Sequence, residues 1–373
     1  MSIKKHIQHP FVQKPFGGEF HRNEISFLGA PCGTIQQLCT TIAEDIGKDF
    51  RLGYVDADHG TSEEMVGFKS QYTDKISHHN VEFEHIDLKY RYRSFFNKED
   101  AVLVNGNHYK AMKQVVIINE KKKESLSRKV DRMTDVLMIL LDEGSTEVFD
   151  FVKEAIPSFS SLPVLSIKDI PSITRILKSA LSARKPLMNG LIFAGGQSVR
   201  MGRDKGSIEY HGKPQREYIA DLVSAHCSET FISVQGEPDF ESDYPLLQDS
   251  FMGLGPVGGL LSAFRSNPNN AWFAVACDIP MLDAAALELL RVNRKPSKMA
   301  TCYHNPETDF PEPLITIWEP RAYPELLNFL SLGYSCPRKV LINNDVEELT
   351  VDRPEILTNV NTPEDYEKVK GSL

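Results

Sequence analysis

Short, unbroken apolar runs alternating with helical patterns recur along the whole chain, and this constrains the fold more than any other feature. In the first half the runs are EISFLG (24–29), RLGYVDAD (51–58), DAVLVNG (100–106), QVVIIN (114–119) and DVLMILLD (135–142). A strand with one wet face alternates apolar and polar residues, whereas a strand covered by helices on both faces reads as a continuous apolar run. IQQLCTTIAEDIG (35–47) places its apolar residues on one helical stripe and ends at Gly47. PSITRILKSALSARK (171–185) reads as the last helix of this half, stopped by Pro186, and a new strand, MNGLIFAGG (188–196), starts at once. The alternation then resumes with a helix at 216–226, strands at 229–236, 272–280 and 312–319, and a helix at 324–333. Pro313 predicts an edge or entry position for the strand at 312–319. The expected fold class is α/β with two domains, each a mainly parallel sheet flanked by helices: residues 21–186 and residues 187–373, the second Rossmann-like. Residues 1–20 carry Pro10, Pro15 and Gly17-Gly18 without periodicity and read as a flexible arm.

A chain of 373 residues, 41% hydrophobic and 25% charged, has enough apolar material for two such cores. No apolar run approaches the roughly 20 residues needed to cross a bilayer. The start, MSIKKHIQHPF, has no apolar stretch after its lysines, so no signal peptide is expected. A formal net charge of -9 argues against a general nucleic-acid binder. It leaves room for one anionic small molecule held by a local basic cluster. The cysteines Cys32, Cys39, Cys227, Cys277, Cys302 and Cys336 form no CxxC pair, and no histidine cluster stands at zinc spacing. Reduced thiols in a cytoplasmic protein are the expectation.

The most informative stretch is Phe193-Ala194-Gly195-Gly196-Gln197-Ser198-Val199-Arg200-Met201-Gly202-Arg203-Asp204-Lys205, directly after a buried strand. Ligands in open α/β sheets bind beyond the carboxyl ends of strands. Gly195 and Gly196 bring bare backbone N–H groups close to an anion, and Arg200 and Lys205 add two fixed positive charges. Nucleotidyl transfer needs this arrangement to neutralise a triphosphate and the departing pyrophosphate. The spacing is neither the dinucleotide fingerprint GxGxxG nor a P-loop, which requires GK[ST]. Without its two basic residues it would be an ordinary glycine-rich turn.

This segment resembles the signature LAGGxSxRMGxDK of the molybdenum cofactor guanylyltransferase family. Ala194, Gly195, Gly196, Ser198, Arg200, Met201, Gly202, Asp204 and Lys205 match, and Phe193 replaces Leu. The resemblance implies a transferase that uses Mg²⁺ and takes GTP as substrate with molybdopterin as acceptor. It implies that Arg200, Lys205 and Asp278 act in catalysis. Phe193, Ala194, Gly195, Gly196 and Lys205 would contact the nucleotide.

Three further segments extend the resemblance. Asp278, in Ala276-Cys277-Asp278-Ile279-Pro280, stands near the end of a strand, where a carboxylate reaches the ligand crevice. Locally it reads equally well as a turn cap. The family's Cys-Asp-x-Pro segment implies that it is the metal ligand, while Cys277 packs and is no nucleophile. Asp249, with the turn at Gly255-Pro256 and Gly258-Gly259, is similar to the family's D…GPLAGI segment, which implies contacts to base and ribose. Gly258 there replaces the usual Ala, a small departure expected to leave the chemistry unaltered. Asn359-Val360-Asn361-Thr362-Pro363-Glu364-Asp365 suits a helix start with Thr362 as N-cap. It matches the family's NxNTPED segment, which implies that Asn359 and Asn361 face the acceptor. Arg338 and Lys339 look like the family's basic stretch, without a role assigned.

The first half has the strand–loop–helix layout of a P-loop at Leu28-Gly29-Ala30-Pro31-Cys32-Gly33-Thr34-Ile35, but lacks the phosphate-binding lysine and the Ser/Thr that follows it. It looks distantly like the P-loop adapters that partner the guanylyltransferase, which implies a binding module whose partners are molybdoenzymes or cofactor-assembly proteins. His59, His78, His79 and His85 show no metal spacing and read as surface residues. Two other functions fit the motifs: transfer of CMP to molybdopterin or of a nucleotide to a sugar phosphate, and cofactor binding without catalysis. Neither nucleic acid nor membrane is an expected partner.

Overall fold

The computed structural model describes residues 21–57, 70–75, 77–83, 95–194 and 204–371. The expected N-terminal arm, most of the glycine-rich loop (195–203), His59 and His85 lie outside the described residues. The chain divides into two compact units, residues 22–178 and residues 179–371 with His21.

In the first unit the strands are β1 (Asn23–Leu28), β2 (Leu52–Val55), β3 (Ser70–Asp74), β4 (His79–Phe83), β5 (Ala101–Asn105), β6 (Lys113–Ile118), β7 (Val136–Leu141) and β8 (Val164–Ser166). The helices are α1 (Cys32–Ile46), α2 (Lys123–Ser127), α3 (Asp150–Ala155) and α4 (Ile170–Ala183). Six strands form one sheet in the order β2-β5-β1-β6-β7-β8, with every pairing parallel. β3 and β4 pair separately as an antiparallel hairpin that carries His78 and His79. Helix α1 buries Ile35, Leu38, Cys39, Ile42 and Ile46, the i, i+3, i+4, i+7 stripe of an amphipathic helix. Each such aliphatic side chain removed from water contributes about 1.5–3 kcal/mol. The division between units falls inside α4, ahead of Pro186, and the second sheet opens just after that proline, at Met188.

The second unit contains β9 (Met188–Phe193), α5 (Gln215–Ser224), β10 (Thr230–Val234), β11 (Leu246–Gln248), α6 (Pro256–Ser266), β12 (Ala271–Ala276), α7 (Ala284–Val292), β13 (Ala300–Asn305), β14 (Phe310–Trp318), α8 (Ala322–Ser331), α9 (Pro337–Ile342), β15 (Glu347–Leu349) and α10 (Pro363–Lys370). Its sheet runs β11-β10-β9-β12-β14-β13-β15, parallel from β11 to β12. Both faces are covered. Phe273, Val275 and Ile317 pack with Ile219, Val223, Leu287 and Leu290 of α5 and α7. Trp272, Ala274 and Trp318 pack with Leu260, Phe264, Leu326 and Leu341 of α6, α8 and α9. This two-sided burial is why β9 and β12 read as continuous apolar runs.

The edge or entry position expected from Pro313 is corrected: the proline is the fourth residue of β14. β14 lies inside the sheet, antiparallel to both β12 and β13. The proline is tolerated because pairing with β12 ends at Val275↔Ile315, and the register with β13 shifts between Cys302 and His304. No ladder hydrogen bond is asked of it. Behind this sheet Glu319 is fully buried and takes a forked pair from Arg294, with Nε 2.6 Å from Oε1 and Nη2 2.9 Å from Oε2. The same Nη2 donates to the Pro186 carbonyl at 3.0 Å. Among the described residues no helix is long and apolar enough to cross a membrane.

Candidate active site

Of the residues singled out in the second half, Ala194, Asp249 and Asp278 stand just past the carboxyl ends of β9, β11 and β12. At the end of β9, the Phe193 carbonyl accepts from the Cys277 N–H (3.3 Å), and the Ala194 N–H donates to the Ser233 carbonyl (3.3 Å). The chain therefore leaves β9 between β10 and β12, where the strand order of the parallel sheet reverses, the place where open α/β sheets bind ligands. Gly195, Gly196 and Arg200 lie outside the described residues.

The chain returns at Asp204, which caps a single 3₁₀ turn, Lys205–Ser207, by accepting from the Gly206 N–H at 3.0 Å. Asp204 Oδ2 is also 2.5 Å from Arg216 Nη1. Arg216 is 6% exposed, and its guanidinium lies 3.6 Å over the Phe240 ring. That clamp fixes the turn which presents Lys205. Sequence reasoning missed it; the available signal was an arginine in the first turn of α5, where the apolar pattern starts.

Lys205 joins three segments. Its Nζ donates to Asp278 Oδ2 at 3.0 Å and to Asn361 Oδ1 at 2.6 Å. Asp278 stands two residues past β12, and its carbonyl accepts from the Val360 N–H at 2.8 Å. This ties the C-terminal segment to the β12 end. Thr362 and Asp365 form a reciprocal capping box at the start of α10, and Asp365 Oδ2 also accepts from the Asn361 N–H at 3.1 Å. The local reading of this segment as a helix start is realised, and Asn361 bonds Lys205 as well. Asp278 Oδ1 and Asn359 Oδ1 are buried with no hydrogen-bond partner among the described residues. Burying a polar oxygen without a partner costs about 1–3 kcal/mol. Oxygens of this kind are what a hard divalent cation binds. Among the described residues no three His, Cys, Asp or Glu side chains are grouped so that they could hold a metal ion together.

Asp249 sits after β11 and is 6% exposed; its N–H donates to the Val234 carbonyl (2.9 Å), and Ser233 Oγ donates to its Oδ1 (2.7 Å). Burial holds the Asp249 carboxyl above its ordinary range, against the opposing pull of hydrogen bonds from Ser233 and Gln235. Ser233 is another residue that sequence reasoning missed, signalled by one polar position in an apolar strand. Gly255 takes a positive φ of 57° at the N-cap of α6, and Pro256 occupies the first turn. A β-carbon on Gly258 would stand 2.2 Å from the Phe251 carbonyl oxygen. Glycine is therefore favoured there by a close backbone approach. Cys277 is buried in the core, and burial, with the Asp278 charge second, pushes its thiol up, as suits a packing residue. Arg338 approaches the buried Glu312 at 3.7 Å, and Lys339 lies 4.5 Å over the Tyr334 ring.

Comparison with known proteins adds names to this geometry. The family description "MobA-like NTP transferase domain" matches residues 190–347. A molybdenum cofactor biosynthesis bifunctional protein of Synechocystis is 34% identical over 208 residues, which is 54% of this chain. The chain spans 59% of that protein's length. A molybdenum cofactor guanylyltransferase of Vibrio atlanticus is 31% identical over 183 residues, covering 47% of this chain and 91% of that protein. Molybdopterin-guanine dinucleotide biosynthesis protein A of Archaeoglobus fulgidus, a solved structure, is 23% identical with a TM-score of 0.43, covering 50% of this chain and 98% of that one.

Proposed function

Because this chain belongs, through its C-terminal half, to the molybdenum cofactor guanylyltransferase family, we propose that its second unit transfers GMP from GTP to the phosphate of molybdopterin. The observation that carries this reading is Lys205, bonded at once to Asp278 and Asn361 at the end of the sheet. In the reaction, a phosphate oxygen of the acceptor attacks the α-phosphorus of GTP in line. The bond to the β-phosphate breaks and pyrophosphate leaves. No covalent intermediate on the protein is needed, so positioning and charge carry the rate.

Lys205 and Arg200 neutralise the phosphates, with the backbone of Ala194, Gly195 and Gly196 around them. Asp249 and the Gly255-Pro256 turn hold the nucleoside beside Phe193. Asn359 and Asn361 face the acceptor. Mg²⁺, when held by Asp278, supplies positive charge to the triphosphate oxygens. The first unit, without the P-loop lysine, serves as a binding module for proteins of cofactor assembly. The test is pyrophosphate release by the purified full chain with molybdopterin and GTP, CTP or ATP in turn. Release with GTP alone is expected. A preference for CTP, or no release with any nucleotide, overturns the reading.

A further inference from the structure

The first unit holds a polar cluster of its own, beyond the carboxyl ends of β1, β2 and β5. Cys32 opens the 15-residue helix α1, and its Sγ lies 3.2 Å from His108 Nε2. Asn107 Nδ2 approaches the same sulfur at 4.0 Å. Asn107 is itself fixed from both ends of its amide: Nδ2 donates to the Ala30 carbonyl (2.8 Å) and Oδ1 accepts from the Gly29 N–H (3.3 Å). The loop entering α1 and the loop leaving β5 are thus stitched together with sulfur beside imidazole. Nearby, at the ends of β2 and β5, Asp56 accepts from the Tyr54 hydroxyl (2.6 Å) and from Asn105 Nδ2 (2.8 Å).

Cys32 differs in kind from the cysteine two turns along the same helix. Cys39 is 3% exposed, and burial pushes its thiol up. Cys32 is half-buried, and its neighbour Gly33 faces open space. This is the loop that, in a P-loop, would surround a phosphate; here the lysine is missing and a thiol and an imidazole stand in place. Among the described residues no third His, Cys, Asp or Glu joins the pair to make a metal site. A thiol with a base in hydrogen-bond reach, at the positive end of a helix, is instead built to attack sulfur.

We propose that Cys32 and His108 form a nucleophile–base pair that exchanges with small-molecule disulfides. His108 Nε2 accepts the thiol proton as Sγ attacks one sulfur of the disulfide. A new S–S bond forms on Cys32 and the original one breaks. The departing sulfur takes the proton from His108 and leaves as a free thiol. Cys32 is oxidised and the departing half of the disulfide is reduced, so no further oxidant is involved. This site is independent of the guanylyl-transfer reading.

The experiment treats the reduced full chain at pH 7 with bis(2-hydroxyethyl) disulfide and follows the mixed disulfide on each cysteine by peptide mass spectrometry. Cys336, which is exposed, is the internal reference. The adduct on Cys32 should form about tenfold faster than on Cys336, or more, and His108→Gln should bring it down to the reference rate. His108→Asn serves as a second variant, with circular dichroism to check folding. The wild-type comparison needs no variant at all. A Cys32 rate no higher than that of Cys336, or a folded His108 variant that reacts as fast as wild type, overturns the proposal.

Discussion

Lys205 and Asp278 stand 73 residues apart in sequence and meet with Nζ 3.0 Å from Oδ2. Their side chains are only 20% and 18% exposed, so bulk water screens the pair weakly. Each is expected to serve the transfer step more than the fold. Lys205→Ala and Asp278→Ala should each lower pyrophosphate release by about 10²–10³-fold, the scale of one lost electrostatic stabiliser. Far-UV circular dichroism should stay that of the parent. Either variant turning over at the parental rate would remove its residue from the mechanism.

Gly258 is expected to resist even the smallest side chain. Its β-carbon would stand 2.2 Å from the Phe251 carbonyl oxygen, so helix or loop must move. Gly258→Ala should destabilise the protein by about 1–3 kcal/mol, the usual cost of overpacking. It should also weaken GTP binding by displacing the loop that follows Asp249. Urea unfolding and nucleotide titration measure the two effects.

The Arg294–Glu319 fork should be costly to break from one side. Glu319 has no exposed surface, so Arg294→Ala leaves a carboxylate in the core without its counter-charge. A loss of about 3–5 kcal/mol is expected in urea unfolding. Replacing both residues with methionine should recover much of that loss, because no lone charge is then left behind. A single variant with an unchanged midpoint would show that the fork adds nothing.

Asp249 links stability to pH in the unfavourable direction. Burial raises its pKa in the folded chain above the unfolded value of about 3.9. The stability linked to its proton is complete below that unfolded value and is lost as pH rises through the folded one. Asp249→Asn has no such loss. The variant should be more stable than the parent at pH 7, with the gain gone below about pH 3.9. It should bind GTP less tightly. An equal stability difference at pH 3.5 and pH 7 would contradict this account.

What the sequence revealed follows from what each element needs. β1, β9 and β12 are legible because strands buried on both faces must be apolar throughout, and α1 because one stripe of it packs. β3 and β4, SQYTD and HNVEF, carry no apolar run, since their hairpin stands apart from either large sheet. The three-residue strands β8, β11 and β15 are too short to show a period. The place of β14 depends on its neighbours, and Pro313 pointed the other way. In the site, Lys205, Asp278 and Asn361 announce themselves as motifs. The clamp of Asp204 by Arg216 does not, because an arginine in a helix's first turn reads as solvated surface until the fold covers it.

The bond from Lys205 to Asn361 spans 156 residues. During synthesis, the lysine leaves the ribosome long before its asparagine is made. A nascent chain arrested between 279 and 358 would carry Lys205 and Asp278 without the asparagine that bonds the same lysine. The joint contact of Lys205 with Asp278 and Asn361 is then completed late, when the segment leading into the helix capped by Thr362 emerges and docks. On the proposed reading of the site, transfer is expected only once translation of this unit is nearly over.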